Sequence, residues 1–339
     1  MFFGIGNSKP FWGIDIGSRS IKGVRLGRTR RGVQILDAAM FEFSDDKIPL
    51  SEGIAALLGK SLDKARAAVH FSGRMSPEVR TLMLPVMPKN ELLEAVRWEA
   101  RKWSSLPPEE MVVDYLIMAE HLEDAVKQYE IVVVVVERAA LEEQLQAISA
   151  SGLKVTAVDL AATALLNTAR LYYEDHLPEN LLYVDIGAQK MEINIVKSGV
   201  IRFTRQVAMG GDTITHALSR AATLSLPEAE GKKRKEGIPL DGPTRIAVLE
   251  QVDRFIVEIQ RSVDYYRAQS RERGIDKILL MGGMPLLPGF LEYFKAFFDA
   301  PVELDNAFSK APWKDPRKSI LLDIAPRFSM ALGLALRKG

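Results

Sequence analysis

Two short segments carry residues whose types and spacing suit one kind of chemistry. Gly13-Ile14-Asp15-Ile16-Gly17-Ser18-Arg19-Ser20 and Val184-Asp185-Ile186-Gly187-Ala188-Gln189-Lys190 each run an apolar strand into an Asp, then a Gly, then a turn. An Asp at a strand end can hold a hydrated cation, and a Gly lets backbone amides approach an anion closely. One such turn belongs to any hairpin. Two copies, 170 residues apart, suggest related domains closing on one phosphate chain from opposite sides. A third glycine site follows the strand Ile278–Met281, where Gly282 and Gly283 would let the backbone pass close to a flat or phosphorylated ligand.

Composition sets the frame for these segments. A chain of 339 residues is too long for one compact core, so two domains are expected. With 45 basic and 44 acidic residues, charge gives no argument for nucleic-acid binding. Cysteine is absent, which removes disulfides and thiolate metal sites, and the four histidines have no metal-ligand spacing. No apolar run reaches the roughly 20 residues of a membrane-spanning helix. The N-terminus lacks a charged n-region and a long h-region, so the expected address is cytoplasmic.

The elements that must position the chemistry follow from periodicity. Phe11–Ile16, Ile21–Leu26 and Val33–Phe43 read as strands, followed by a helix over 51–60 and the strand Ala67–Phe71. Residues 78–151 change texture: strands at Val79–Leu84, 111–119 and 129–136 alternate with helices over 89–104 and 138–150. A helix over 160–173 and strands at Leu181–Asp185, 191–197 and 200–207 return to the main pattern. Met209-Gly210-Gly211-Asp212 opens a helix, with Asp212 as a candidate cap and the glycines as further phosphate-facing amides. Ile246, Leu249, Val252, Ile256, Ile259, Val263 and Tyr266 form one stripe of a long packed helix.

The order of these sites resembles the actin-like ATPase superfamily, which includes actin, Hsp70, sugar kinases and FtsA. That resemblance implies an α/β fold of two ribonuclease-H-like domains with an inserted α+β subdomain. The first domain is expected in 1–78 and 152–180 and the insert in 79–151. The second is expected in 181–339, with a mostly helical part at about 212–274. It also implies ATP or ADP with Mg²⁺ between the domains. Asp15 and Asp185 would hold the ion through water, while Gly17, Ser18, Arg19, Ser20 and Lys22 face Gly187, Ala188 and Gln189 across the phosphates. Gly210 and Gly211 would lie beneath the second turn, and Gly282, Gly283 and Met284 against the α-phosphate and adenosine. Ala229-Glu230-Gly231-Lys232-Lys233 resembles the helix whose Glu and Lys approach ribose and adenine, which makes Glu230 and Lys233 candidate contacts. The alternative for this basic run is a solvated helix face. Asp159 stands where Hsp70-type relatives carry an acid near the attacking water; a helix N-cap is its other reading.

Within that superfamily, the run Leu84-Pro85-Val86-Met87-Pro88 to Ala95-Val96-Arg97-Trp98-Glu99-Ala100 and then Leu106-Pro107-Pro108 resembles the PilM family of type IV pilus assembly proteins. The resemblance covers essentially the whole chain, and its end at Arg337-Lys338-Gly339 leads to the expectation that the membrane-targeting helix usual in FtsA is missing. It implies an ATP-binding adaptor that takes the N-terminal cytoplasmic tail of a PilN-like inner-membrane protein and links it to the pilus motors. A role in a type II secretion or competence apparatus, a small-molecule kinase and a filament former are the alternatives. Leu92, Leu93, Val96, Ala100 and Trp103 share the core face of the 89–104 helix, leaving Trp98 nearly opposite. Trp98, beside Arg97, is therefore an interface anchor or packs on the neighbouring subdomain, at the junction with the partner groove in either case. Met191 replaces the hydroxyl residue usual in PilM-type second turns, which weakens the expectation of efficient hydrolysis.

Overall fold

The computed structural model describes residues 10–337 apart from 30–31, 45–46, 63–64, 72–74, 124–125, 174–177, 240, 271–273, 310, 312 and 314–320. The first residues of the chain and its Lys338-Gly339 end lie outside that range. Two five-stranded sheets have the same topology. The first, in the order β3-β2-β1-β4-β8, is built from β1 (Phe11–Ile16), β2 (Ser20–Thr29), β3 (Gly32–Glu42), β4 (Arg66–His70) and β8 (Lys154–Val158). The second, in the order β11-β10-β9-β12-β13, is built from β9 (Asn180–Ile186), β10 (Met191–Lys197), β11 (Val200–Val207), β12 (Lys277–Gly282) and β13 (Val302–Leu304). In each, three antiparallel strands are extended by parallel ones.

Alternation along the strands decides what each sheet face meets. Trp12, Ile14 and Ile16 bury on the outer face of the first sheet with α1 (Leu50–Leu58) and α3 (Arg138–Ser149). On the second sheet, Leu182, Val184 and Ile186 pair with Ile195, Ile193 and Met191. They pack beside α5 (Gly211–Ala222), α6 (Leu226–Glu236) and α7 (Gly242–Ser270). The other faces enclose α4 (Ala161–Tyr173) and the C-terminal α9 (Ser329–Ala335). The small residues of α9 explain how closely it fits. A Cβ on Gly13 would meet Ala331 O at 2.0 Å, and one on Gly333 would meet Ala164 O at 2.0 Å. Helix, strand and second helix therefore touch backbone to backbone, which seats β1 firmly under its turn.

Between β4 and β8 lies the three-stranded sheet β5-β7-β6, made of β5 (Glu78–Pro85), β6 (Met111–Glu123) and β7 (Val126–Glu137). The β-branched run in β7 is buried on both faces. Ile131, Val133 and Val135 meet Leu92, Val96 and Ala100 of α2 (Lys89–Trp103), while Val132 and Val134 join the cluster around α4. Glu130 of β7 pairs with Arg202 on β11 and with His121 at 2.8 Å, tying this sheet to the second five-stranded one. Asp212 does not cap α5. The cap position is Gly210, without a side-chain bond, and Asp212 sits in the first turn. Among the described residues no helix is long and apolar enough to cross a membrane.

Candidate functional site

The two Asp-Gly turns are built alike. Gly17 N donates to Ser20 O at 3.0 Å, and Gly187 N donates to Lys190 O at 3.0 Å. These bonds close each turn at its base and leave residues 18–19 and 188–189 at the tips. Asp15 is paired in register with Lys22 on β2 and His70 on β4, and Asp185 with Glu192 on β10 and Met281 on β12. The two aspartates lie on the faces that look towards α4 and α9, at the same end of their sheets. Lys22 Nζ donates to Asp15 Oδ2 at 3.2 Å. Burial, then the negative charges of Asp15 and Glu192, push the Asp185 carboxyl up to about 7 against the opposing pull of Lys22 and His70.

Several sequence-predicted residues surround this pair. A Cβ on Gly282 would stand 2.4 Å from Asp185 Oδ1 and 2.5 Å from Ile186 O, and the backbone there has φ +90°. Only glycine meets both demands. Gly210 packs as tightly beneath the second turn, where a Cβ would meet Ala188 C and O at 2.5 Å. Of the two amides expected to face phosphate from below, that of Gly211 donates to Gly187 O at 2.9 Å, and the neighbouring Asp212 N donates to Ala188 O at 2.8 Å. They hold the second turn in shape.

Arg19, at the tip of the first turn, reaches Asp212 at 3.2 Å. Glu42 at the end of β3 binds Arg234 of α6 at 3.2 Å and Arg327 at 2.8 Å, and those guanidinium groups lower its pKa against the effect of burial. The pairs Arg19–Asp212 and Glu42–Arg234 join the two halves on the side of the paired turns.

Other expected contacts resolve differently. Lys233 is buried, and its three donors are taken by Gly211 O at 3.0 Å, Thr215 Oγ1 at 2.8 Å and Glu230 Oε2 at 2.6 Å. Glu230 is half-buried. Its bonds to Lys233, Thr215 and Arg234 overcome burial and hold its carboxyl down at about 2. The pair ties α5 to α6. Met284 is buried in the core of the second half, whereas Gly283 is exposed. Asp159 Oδ1 accepts from Leu160 N at 3.0 Å and from the Thr163 hydroxyl, and Oδ2 pairs with Arg337. Oδ1 thus ties the chain just before α4, one residue short of the cap position, and Oδ2 forms an ion pair. Met191 is fully buried beside Ile186 in the core, on the opposite face of β10 from Glu192. The thioether therefore does not occupy phosphate-facing space, and the weakening attached to it does not follow.

The sequence reading passed over the polar network beneath the aspartates. His70 is buried, with Nε2 3.4 Å from Glu192 Oε1 and Nδ1 2.9 Å from the Asp159 carbonyl. Burial alone would lower its pKa, but Glu192 and Asp15 outweigh it and lift the imidazole to about 9. Gln206 donates to Glu192 at 2.9 Å. A signal was present: the 170-residue offset that maps Asp15 onto Asp185 maps Lys22 onto Glu192.

On the insert, Trp98 is 62% exposed, so it does not pack on the neighbouring subdomain. Arg97 is exposed beside it and pairs with Glu94 at 2.7 Å. Helix α2 covers the sheet face turned away from α4, which puts Trp98 on the outer surface of the insert and not in its seam with the first sheet. Met83 and Leu116, on the α4-side face, are 44% and 43% exposed.

Two sheets of identical topology, each ending in an Asp-Gly turn and enclosing a helical pair, define a protein of the actin-like ATPase fold. Solved structures of that fold superpose on it. They include ethanolamine utilization protein EutJ from Carboxydothermus hydrogenoformans, with a TM-score of 0.54 and 16% identity over 97% of this chain and 89% of that one. Spiroplasma citri MreB5 bound to ADP gives 0.51 and 13% over 96% and 95%. A PilM-PilN type IV pilus biogenesis complex gives 0.84 and 24% over 96% and 98%. The family model for type IV pilus assembly protein PilM matches residues 13–339, and the chain belongs to that family. Curated relatives match over about half of this chain. Neisseria meningitidis serogroup B cell division protein FtsA is 26% identical over 184 residues, 48% of this chain and 43% of FtsA. Escherichia coli K12 EutJ is 29% identical over 156 residues, 46% of this chain and 50% of that protein. The chain spans about half the length of these curated relatives.

Proposed function

We propose that this protein is a nucleotide-binding adaptor of type IV pilus assembly. It takes Mg-ATP or Mg-ADP between its paired turns and the cytoplasmic tail of a PilN-like inner-membrane protein on its inserted subdomain, linking that protein to the pilus motors. The observation that carries the nucleotide half is the pair Asp15 and Asp185 with their matched turns. The residues fit the ligand by two tests. Burial, and then the like charges of Asp15 and Glu192, raise the Asp185 carboxyl to about 7, a cost that a divalent cation offsets. The glycine at 282 keeps backbone width where any Cβ would strike Asp185.

In this reading Asp15 and Asp185 would hold Mg²⁺ through water, since magnesium keeps much of its hydration shell. The ion would neutralise phosphate charge and orient the chain of phosphates. The tips of the turns, residues 18–19 and 188–189, face the phosphates, with Lys22 adding a positive charge beside Asp15. Gly282, Gly283 and the backbone of Met284 flank the nucleoside side, where Glu230 contributes its exposed edge and Lys233 holds that edge in place. Asp159 is engaged at both oxygens, so water positioning there would require breaking its bonds to Leu160 N, the Thr163 hydroxyl or Arg337. That bonding favours a binding protein with slow turnover over a phosphotransferase. The adaptor half draws on the family, on the likeness to the PilM-PilN complex, and on exposed apolar side chains of the insert, Trp98, Met83 and Leu116. Titration with a fluorescent ADP analogue in Mg²⁺ tests the nucleotide half: saturable binding lost in Asp15→Ala supports it, and no binding by the unaltered protein overturns it.

A further inference from the structure

We infer that Lys190 communicates nucleotide occupancy at the second turn to the inserted sheet, an inference that rests on the nucleotide reading above. Lys190 belongs to both sides of this connection. Its carbonyl closes the second turn by accepting from Gly187 N at 3.0 Å. Its ammonium leaves the turn and crosses to the first half, donating to Met75 O at 3.2 Å and Ser76 Oγ at 2.9 Å. Those residues lie immediately before β5, which begins at Glu78.

The same ammonium lies 3.5 Å from Gln206 Oε1, whose amide donates to Glu192, which faces His70. His70 ends β4, the strand from which the chain departs for the insert. The segment between the first sheet and the insert is thus held at one end by Lys190 of the second turn and at the other by Glu192 of the β10–β11 hairpin that follows it. Arg202 of the same hairpin pairs with Glu130 in the middle of the inserted sheet. All the acceptors of Lys190 are neutral, and burial lowers its pKa. It is a positional tie between packed elements, held by neutral acceptors with the charge of Glu192 nearby. When the turn tightens on phosphate, the Lys190 backbone moves with it, and the ammonium carries that movement to 75–76 and β5.

Coupling of this kind is demonstrated only by removing the tie and watching both ends. The experiment is hydrogen–deuterium exchange on the full chain with and without Mg-ADP. In the unaltered protein, Mg-ADP slows exchange in the turns at 15–20 and 185–190 and also in β5 at 78–85. Lys190→Met keeps the aliphatic stem and removes the donors. It binds Mg-ADP within about threefold of the unaltered protein, keeps protection in the turns and loses it in β5. Protection of β5 that persists in Lys190→Met, or never occurs in the unaltered protein while the turns are protected, overturns the inference. If the turns show no protection either, the nucleotide reading itself has failed. Ser76→Ala, which trims one exposed hydroxyl, gives partial loss; should Lys190→Met not fold, unchanged β5 protection in Ser76→Ala overturns the inference.

Discussion

His70 on the first sheet and Glu192 on the second meet beneath the paired aspartates, with Nε2 3.4 Å from Oε1. The contact joins the two halves of the molecule inside the protein, at residues in strand register with Asp15 and Asp185. Both ring nitrogens have acceptors, the Asp159 carbonyl on one side and Glu192 on the other, which is the arrangement of a charged imidazole.

The pH dependence of stability follows in sign. His70 binds its proton more tightly in the folded protein, where its pKa is about 9, than in the unfolded chain, near 6.5. The stabilisation is therefore complete below about 6.5 and is lost as pH rises towards 9. Thermal unfolding of the nucleotide-free protein should show melting temperature falling over that window. His70→Gln should flatten the fall, and should cost on the order of 3 kcal/mol at neutral pH because Glu192 loses its cationic partner.

Gly282→Ala should be damaging out of proportion to one methyl group. The new Cβ collides with Asp185 Oδ1 and Ile186 O, at a backbone φ of +90° that disfavours alanine. A loss of about 2 kcal/mol or more in denaturant unfolding is expected. Any folded fraction should show little thermal stabilisation by Mg-ADP. Gly283→Ala, which meets nothing within 4 Å, should be nearly neutral in stability.

Much of this architecture is legible in the sequence because its signals are local. Apolar alternation marks the strands, and the Asp-Gly spacing repeats across both halves. The buried run at 131–136 has one possible use once its flanks are polar. What escaped depends on pairing between distant segments. Nothing near His70 in the chain announces Glu192, and nothing near Asp159 announces Arg337, since the sheet register and the C-terminal helix bring them together. Met191 was misread for a related reason. Its distance from Asp185 is clear in the sequence, but the face it takes is fixed only when β10 pairs with β9.

The pairs Arg19–Asp212 and Glu42–Arg234 bridge the cleft through solvent-facing side chains. Exposed pairs contribute little to stability, on the order of 0–1 kcal/mol each. Asp212→Asn should therefore leave the melting temperature almost unchanged while freeing the first half to move relative to the second. A measurable rise in nucleotide dissociation rate, read by stopped-flow chase of a fluorescent ADP, is the expected outcome.

Trp98→Ala separates folding from partner binding. The ring is 62% exposed, so its removal should change stability by no more than about 0.5 kcal/mol. If Trp98 anchors the partner, affinity for the partner tail should fall about tenfold or more. An unaffected affinity would move the interface to the opposite face of the inserted sheet, around Met83 and Leu116.

On the proposed reading, one protein holds a nucleotide in its cleft and a membrane protein's tail on its insert. Calorimetric titration of the Mg-ATP-loaded protein with the N-terminal cytoplasmic peptide of the PilN-like protein from the same genome tests it most directly. Saturable one-to-one binding, in the micromolar range or tighter, is the predicted result. An absence of binding heat in the ATP-loaded, ADP-loaded and nucleotide-free protein alike would contradict it.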